Sequence, residues 1–239
     1  SCLVGSEMCI RDRYYNKGDY QRAMNLLDGV RSVFVGQAKA QNIAYYRAFC
    51  SYNMKDYQIA SDLFKQFIQT YPESSFAEEC LYMMGFCDYK ASPKPRLDQQ
   101  VTEKAIREFQ LYLSRYPYSM RKDKVNTYMD EMRDKLSYKA YLSAKNYYLR
   151  EHYKAAVISL QNCLKDYPGS KYREEIMYML FVSKYQMAVN SVEDKKVERY
   201  NNAREEYYYF ADEYPNSRYA ADVKKMYEDI EAYLENYKF

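Results

Sequence analysis

Histidine and cysteine, the side chains that most often carry catalysis or bind metals, are few and scattered in this chain of 239 residues. The one histidine, His152, lies in a predicted turn, where we expect a surface position. A zinc site or a histidine base needs partner residues that a single histidine does not supply. The sequence contains no glycine-rich phosphate loop and no nucleophile elbow. It therefore predicts no enzyme and no catalytic, metal-binding or cofactor-binding residues.

Two pairs of adjacent carboxylates, Glu78-Glu79 and Glu174-Glu175, are the next candidates for acid–base chemistry. Each pair lies where a helix is predicted to begin. Carboxylates at that end of a helix are stabilised by the positive end of its dipole. We interpret both pairs as helix-start charges and not as catalytic dyads.

The cysteines form no Cys-x-x-Cys pair; they are Cys2, Cys9, Cys50, Cys80, Cys87 and Cys163. Cys80 and Cys87 lie in one predicted helix, about 10 Å apart along its axis, which is too far for a disulfide. Free cysteine packs as a small apolar residue. We therefore predict that the last four cysteines are buried thiols.

The composition excludes several classes of protein. Lys plus Arg number 36 and Asp plus Glu 33, a net charge of +3 that is too balanced for a nucleic-acid footprint. No apolar run is long enough to predict a transmembrane helix. The low counts of 6 glycines and 6 prolines argue against a turn-rich β-fold. Tyrosine is the outlier, with 32 residues.

A Tyr-Pro-x-Ser motif recurs four times, beginning at Tyr71, Tyr116, Tyr167 and Tyr214. Alanine stands eleven residues before each tyrosine and a large apolar or aromatic residue seven before it, a spacing that follows one face of an α-helix. A degenerate first copy precedes them. The repeat alanines are predicted helix contacts: Ala23, Ala60, Ala105, Ala156 and Ala203. Proline ends each helix, and the serine is a candidate N-cap for the next one.

Two repeats are longer than the others. The stretches from Gly85 to Ala105 and from Ser183 to Ala203 each span 20 residues, where the standard repeat has 12. We predict insertions between the paired helices of the third and fifth repeats, the first a loop because it contains prolines. Residues 120–150 lack Gly and Pro and keep helical spacing, which predicts one helix of about 45 Å joining repeats three and four.

Alanine, aromatic and proline positions at fixed offsets resemble the tetratricopeptide repeat (TPR), a helix–turn–helix unit. The resemblance implies an all-α, right-handed TPR superhelix of five repeats. We expect residues 1–13 to be a non-native or disordered segment and residues 14–118 to be an N-terminal TPR module of repeats one to three. Residues 119–239 would hold the long connecting helix, repeats four and five and a capping helix.

Five such repeats, split three plus two by a long helix and ending in Tyr-Pro-x-Ser, resemble the BamD family of outer-membrane assembly lipoproteins. Residues 147–157 are similar to the family's fourth repeat, in which paired tyrosines precede a turn and an aromatic-x-x-Ala start. Residues 96–99 resemble the family's insertion in the third repeat. The excess of tyrosine resembles Bacteroidetes-like versions.

This resemblance implies a non-enzymatic scaffold of the β-barrel assembly complex. It implies attachment by an N-terminal lipid to the periplasmic face of the bacterial outer membrane. The implied partners are the POTRA domains of a BamA-like insertase and unfolded outer-membrane β-barrel precursors.

The first residues depart from the lipoprotein pattern. Only Ser1 precedes Cys2, where a lipoprotein signal would show an apolar run, and Arg11 occupies a position that needs a small residue. We expect residues 1–13 to be truncated or foreign, with Cys2 as the lipidated residue the less favoured alternative.

Surplus aromatic residues are the candidates for binding. Helix A residues of such repeats generally face a concave groove, and a tyrosine can bury its ring while its hydroxyl stays in water. The peptide-groove candidates are Phe34, Tyr45, Tyr46, Tyr82 and Tyr89. Packing between helices is the alternative for each of them, and for Phe34 the packing of repeat one on repeat two.

The resemblance also implies a division of labour, with substrate on the N-terminal repeats and insertase on the C-terminal ones. The partner-interface candidates are Ser159, Asn162 and Tyr208. Tyr208 belongs to a run of four aromatic residues, 207–210, that covers every face of its helix. At least one ring of the run must therefore be exposed or meet a partner.

Two other functions stay open. One is a different periplasmic TPR adaptor, of the kind that coordinates cell division with the Tol-Pal system. Such adaptors usually have three repeats after a coiled coil, and this chain shows neither. The other is an enzyme with a helical-repeat domain, whose catalytic domain would lie elsewhere because the repeats occupy residues 14–239.

Overall fold

The computed structural model describes residues 11–237 of the chain. Cys2, Cys9 and most of the segment expected to be non-native lie outside the described residues. Every regular element within 11–237 is helical and none is a strand, which confirms the all-α prediction. None of these helices combines the length and the apolar character that a membrane span requires.

A π-helical turn, Arg11–Tyr15, and a 3-10 turn, Ser32–Phe34, flank the first α-helix. The α-helices follow in the order α1 (Tyr20–Arg31), α2 (Lys39–Asn53), α3 (Tyr57–Thr70), α4 (Ala77–Ala91), α5 (Gln100–Arg115), α6 (Lys122–Leu149), α7 (Tyr153–Asp166), α8 (Arg173–Val189), α9 (Glu193–Glu213) and α10 (Ala220–Asn236).

The helices pair as the repeat pattern predicts. Helices α2 and α3 form repeat two, α4 and α5 repeat three, the end of α6 with α7 repeat four, and α8 with α9 repeat five, while α10 packs as a cap. The repeat alanines are all fully buried: Ala23, Ala60, Ala105, Ala156 and Ala203. Their short side chains allow neighbouring helices to approach closely.

Each Tyr-Pro-x-Ser motif forms the same turn. The serine N–H donates to the tyrosine carbonyl at 3.0 to 3.2 Å, and the serine hydroxyl accepts from the N–H two residues later at 3.0 to 3.3 Å. The prediction that the serine is the helix N-cap is wrong. Helices α4, α8 and α10 have the N-caps Phe76, Tyr172 and Tyr219, because one extra turn separates the serine from each helix.

The chain divides into two compact units, Ser1–Arg133 and Asp134–Phe239. The division falls within α6, which continues for 28 residues, about 42 Å, as the long helix predicted over 120–150. In the first unit Phe64, Phe109, Tyr112 and Met132 belong to one large apolar core. The second unit has two clusters, one around Leu160 and one around Phe181 and Phe210.

Both predicted insertions are present and differ in form. In the third repeat, residues 92–99 separate α4 from α5, whereas residues 54–56 separate the helices of repeat two. In the fifth repeat, only residues 190–192 lie between α8 and α9, and the extra length extends the helices to 17 and 21 residues. The prolines at 93 and 95 prevent the same extension in repeat three.

Four cysteines are free and buried, as predicted: Cys50, Cys80, Cys87 and Cys163. Burial raises the pKa of Cys50 to about 12 and that of Cys163 to about 11. These thiols stay protonated at neutral pH and act as apolar packing groups.

Candidate functional site

The first unit carries a continuous row of aromatic rings, called here the aromatic row. Its neighbouring ring centroids lie 4.4 to 6.4 Å apart. The row runs through Tyr20, Tyr15, Tyr46, Tyr45, Phe49, Tyr52, Phe86, Tyr82, Tyr89 and Tyr128. All of these rings are half-buried except Tyr82, so each can present part of its surface to a ligand.

Helix periodicity explains why the row forms. The first helices of repeats two and three repeat one aromatic spacing, and its members are Tyr45, Phe49 and Tyr52 in α2 and Tyr82, Phe86 and Tyr89 in α4. Intervals of four and three residues put three rings on one helix face. Because adjacent repeats stack, the two faces meet at the contact of Tyr52 with Phe86, whose centroids are 6.2 Å apart.

Two tyrosine hydroxyls of the row are held by carboxylates. Tyr45 donates to Glu79 Oε2 at 2.8 Å, and Tyr89 donates to Glu131 Oε2 at 2.5 Å. Burial and these hydrogen bonds raise the pKa of both phenols, to about 12 for Tyr89. The row is therefore a neutral aromatic surface with fixed ring positions, which lowers the entropy lost on binding.

Two of the predicted groove residues are buried. Phe34 is 7% exposed and packs with Ala23, Leu27 and Ile43, because the 3-10 turn at Ser32–Phe34 directs its ring into the core. Tyr82 is also 7% exposed and lies beneath the guanidinium of Arg121. The structure brings Tyr45, Tyr46 and Tyr89 together in the row as half-exposed rings.

A pocket of 390 Å³ in the first unit was not found by sequence reasoning. Its apolar lining includes Ile43, Leu63 and Phe67, and its cationic lining comprises Arg31 and Arg47. Arg47 also pairs with a carboxylate of α1 at 2.5 Å. Such a pocket suits an apolar side chain next to a carboxylate. Helical spacing within α2 was the available signal, but the other walls come from α1 and α3.

The second unit presents the partner-interface candidates on two helices. On α7, Asn162 is exposed, Ser159 is half-buried, and the neighbouring Ile158 is 55% exposed. On α9, Tyr208 and Tyr209 are 52% and 66% exposed, which confirms that the aromatic run cannot be buried on one face.

A pocket of 620 Å³ adjoins the start of α7. Its lining includes Ile158, His152, Tyr147 and Arg199. His152 is exposed, as predicted, and it precedes α7 as its N-cap residue. The α7 surface thus combines an exposed aliphatic side chain with a wide, partly polar recess.

The paired carboxylates connect neighbouring repeats. Glu78 accepts hydrogen bonds from Ser119 at 2.7 Å and from Tyr112 at 3.0 Å. Glu174 accepts from Ser217 at 2.7 Å. The first carboxylate of each pair therefore holds the serine of the following Tyr-Pro-x-Ser turn, a role beyond the helix-start charge that the sequence indicates.

The two longer repeats each bury a further glutamate, Glu108 and Glu206, both 8% exposed. Lys104 Nζ lies 2.8 Å from a second buried carboxylate, Asp88, and 3.7 Å from Glu108. Burial, followed by the hydrogen bond and charge of Asp88, raises the pKa of Glu108 to about 8. In repeat five, Lys184 pairs with Glu206 at 2.5 Å.

These carboxylates lie within helix packing and not in either pocket. Across residues 11–237, no group of three His, Cys, Asp or Glu side chains could hold a metal ion. What the geometry offers is recognition by aromatic and apolar surfaces.

Comparison with protein families gives a match over nearly the whole chain. The model of the family YfiO, described as "Outer membrane lipoprotein", matches residues 11–175 and 139–239. This match confirms the resemblance to outer-membrane lipoproteins. No curated protein matches the chain.

Two solved structures are similar in part. The TPR2AB-domain:pHSP90 complex of yeast Sti1 is 14% identical, with 94% of this chain and 97% of that chain covered and a TM-score of 0.42. The human IFIT1 dimer with PPP-AAAA is 16% identical, with 93% and 55% covered and a TM-score of 0.34.

Proposed function

Because the chain belongs to the YfiO family of outer membrane lipoproteins, we propose that it is a non-enzymatic scaffold of outer-membrane β-barrel assembly. In this proposal the first unit binds unfolded β-barrel precursors and the second binds the POTRA region of a BamA-like insertase. The protein would act at the periplasmic face of the outer membrane, held there by a lipid.

The observation that carries the proposal is the aromatic row. An extended segment places side chains of one face about 7 Å apart, close to the 6.4 Å between Phe49 and Tyr52 and the 6.2 Å between Tyr52 and Phe86. Strands of outer-membrane barrels alternate apolar and polar side chains. Their apolar face can therefore pack on successive rings while the polar face stays in water.

The pocket of 390 Å³ supports binding of a precursor's C-terminal end. The C-terminal residue of such a precursor carries an apolar side chain and a carboxylate on the same Cα atom. The pocket supplies Leu63 and the exposed Val35 for the first and the guanidinium of Arg31 for the second. A charge-assisted hydrogen bond of this kind is stronger than a neutral one.

Titration of a fluorescent C-terminal barrel peptide tests the first unit. We expect Tyr45→Ala to weaken binding about tenfold or more, since aromatic anchors dominate such interfaces, and Tyr45→Phe to keep most of the affinity. Arg31→Gln should weaken the free-acid peptide but not its amide. Tyr209→Ala, an exposed tyrosine of the second unit, is the matched control.

Phe34→Ala separates packing from binding. Its buried ring predicts a loss of stability of about 3 kcal/mol with normal peptide affinity in the fraction that folds. Unchanged peptide binding by Tyr45→Ala and Arg31→Gln together would refute the assignment of substrate to the first unit.

The second unit is tested with the purified POTRA region of the insertase. Asn162→Arg places a long cation on the exposed surface of α7, next to Ile158. We expect it to weaken POTRA binding about tenfold by blocking apolar contact, with peptide affinity unchanged. Loss of peptide binding instead of POTRA binding would overturn the division of labour.

A further inference from the structure

One of the four Tyr-Pro-x-Ser turns differs from the others in what it exposes. In the turn between α5 and α6, Tyr118 and Met120 are 97% and 102% exposed, the largest values among the exposed apolar residues of the described chain. We call these two side chains the exposed tip. The corresponding residues of the other turns are small, polar or charged: Glu73 and Ser75, Gly169 and Lys171, Asn216 and Arg218.

The backbone beneath the exposed tip is rigid. Ser119, between its two residues, donates to Glu78 at 2.7 Å and accepts from the N–H of Arg121 at 3.2 Å. Tyr112, fully buried, lies 2.6 Å from the same serine hydroxyl. The turn therefore holds two apolar side chains in water without giving them freedom to fold back.

Cations surround the exposed tip. Residues 115–124 contain Arg115, Arg121, Lys122 and Lys124 against one acidic residue, Asp123. Arg121 also faces Glu79 at 3.6 Å, whereas the two lysines occupy exposed positions at the start of α6. Apolar side chains inside a basic surface are the combination that binds an anionic lipid interface, because insertion and headgroup attraction add.

We propose that the exposed tip inserts into an anionic phospholipid surface and is a second membrane contact of this protein. The inference uses the family's lipoprotein character but is independent of the precursor and insertase assignments. Headgroup attraction of the cations and insertion of the two apolar side chains would add a contact to the one that the lipid makes.

A phospholipid surface fits better than a protein pocket. The tip residues protrude from a turn and line neither of the two pockets described above. Four of the five charged residues within 115–124 are cations, which suits a fluid anionic surface that adapts to them.

Vesicle sedimentation with the full, unlipidated chain tests this proposal. The probe is vesicles of equal parts phosphatidylglycerol and phosphatidylcholine, compared with phosphatidylcholine alone. The variant Tyr118→Asn/Met120→Ser takes residues that other Tyr-Pro-x-Ser turns already use, so its fold should be unchanged by circular dichroism. We expect at least tenfold weaker binding to the anionic vesicles.

The charges are tested separately. Lys122→Gln and Lys124→Gln should each weaken binding to anionic vesicles about fivefold and leave binding to phosphatidylcholine unaltered. Leu149→Ser removes a 66% exposed apolar side chain of the second unit and is the matched control.

Equal sedimentation of wild type and the Tyr118→Asn/Met120→Ser variant would overturn the proposal, as would failure of the wild type to bind either vesicle. If this variant instead loses affinity for the POTRA region, the exposed tip is a protein contact and the lipid assignment is wrong. Peptide titration of the same variant stays normal in every case in which the precursor site is correct, so the two proposals fail independently.

Discussion

Repeats three and five bury a glutamate at the same helix position, three residues after the repeat alanine, but balance its charge differently. Glu206 lies 2.5 Å from Lys184. Glu108 lies 3.7 Å from Lys104, which is closer, at 2.8 Å, to Asp88, so a second buried carboxylate competes for this cation. The standard repeats have Leu63 and Ser159 at this position.

This difference between the two repeats shows two ways in which the charge of a buried carboxylate is neutralised in this fold. Where a lysine is close, the ion pair offsets the free-energy cost of burying the carboxylate. Where a second carboxylate competes for the lysine, burial and that carboxylate raise the pKa of Glu108 to about 8. The buried group is then neutral because it is protonated. Repeat three is thus expected to be sensitive to pH at this position.

Replacement of the lysine should give the largest difference between the two repeats in the free energy of unfolding that is lost. Lys184→Ala leaves Glu206 buried without its cation, and we expect a loss of about 3 kcal/mol. Lys104→Ala should cost clearly less at pH 6, because Glu108 is already protonated and Lys104 is 37% exposed. Urea unfolding of both variants gives the two values, and equal losses would contradict this account.

Stability should depend on pH through Glu108. Its folded pKa of about 8 lies above the ordinary 4.5, so the folded state holds a proton that the unfolded chain has released. Stability is therefore highest at the acidic end of this window and falls as pH rises through it, by about 2 kcal/mol or more in all.

Urea midpoints measured across that window test the dependence. Glu108→Gln should remove most of the slope. Glu206→Gln is the matched control: it lowers stability by weakening an ion pair but should keep the slope of the wild type. A wild-type midpoint that rises with pH would refute the assignment.

The smallest difference expected between repeats three and five concerns a close helix contact. It is made by the residue twenty positions before the repeat alanine, which is Gly85 in repeat three and Ser183 in repeat five. A Cβ on Gly85 would meet Phe109 Cδ1 at 2.9 Å, so Gly85→Ala should cost about 1 kcal/mol or more through overpacking, despite alanine's better helix propensity. Ser183 is fully buried, and its Oγ has no hydrogen-bond partner in the described structure.

Ser183→Ala should therefore stabilise by about 1 kcal/mol, since it removes an unsatisfied hydroxyl. Thermal unfolding of the pair gives opposite shifts in melting temperature if the contacts are as described. Shifts of the same sign would show that one of the two repeats packs differently.

Local signals predicted most of the fold. Helices α3, α5, α7 and α9 all end at the residue before a motif tyrosine, because proline excludes the helical conformation at the residue that precedes it. Alanine at fixed offsets likewise identified the buried contacts. Both signals act within one helix and need no knowledge of tertiary structure.

Features that depend on several helices were not predictable in this way. Glu108 and Glu206 look like surface residues in sequence, and their burial depends on neighbouring helices, which supply Asp88 to the first and Lys184 to the second. The ring of Phe34 turns inward because of a 3-10 turn that the sequence of the degenerate first repeat does not indicate. The 390 Å³ pocket joins residues from three helices, so no single periodic pattern indicates it.

The buried cysteines can report the local opening of the helices that cover them. Cys50, Cys80 and Cys87 lie in the first unit and Cys163 in the second. A thiol reagent attacks the thiolate, so each cysteine reacts only during the intervals when its helices separate. With Cys2 and Cys9 replaced by serine, the rate of alkylation at each position measures the opening free energy of that part of the molecule. Addition of peptide, insertase or vesicles would then show which unit each of them rigidifies.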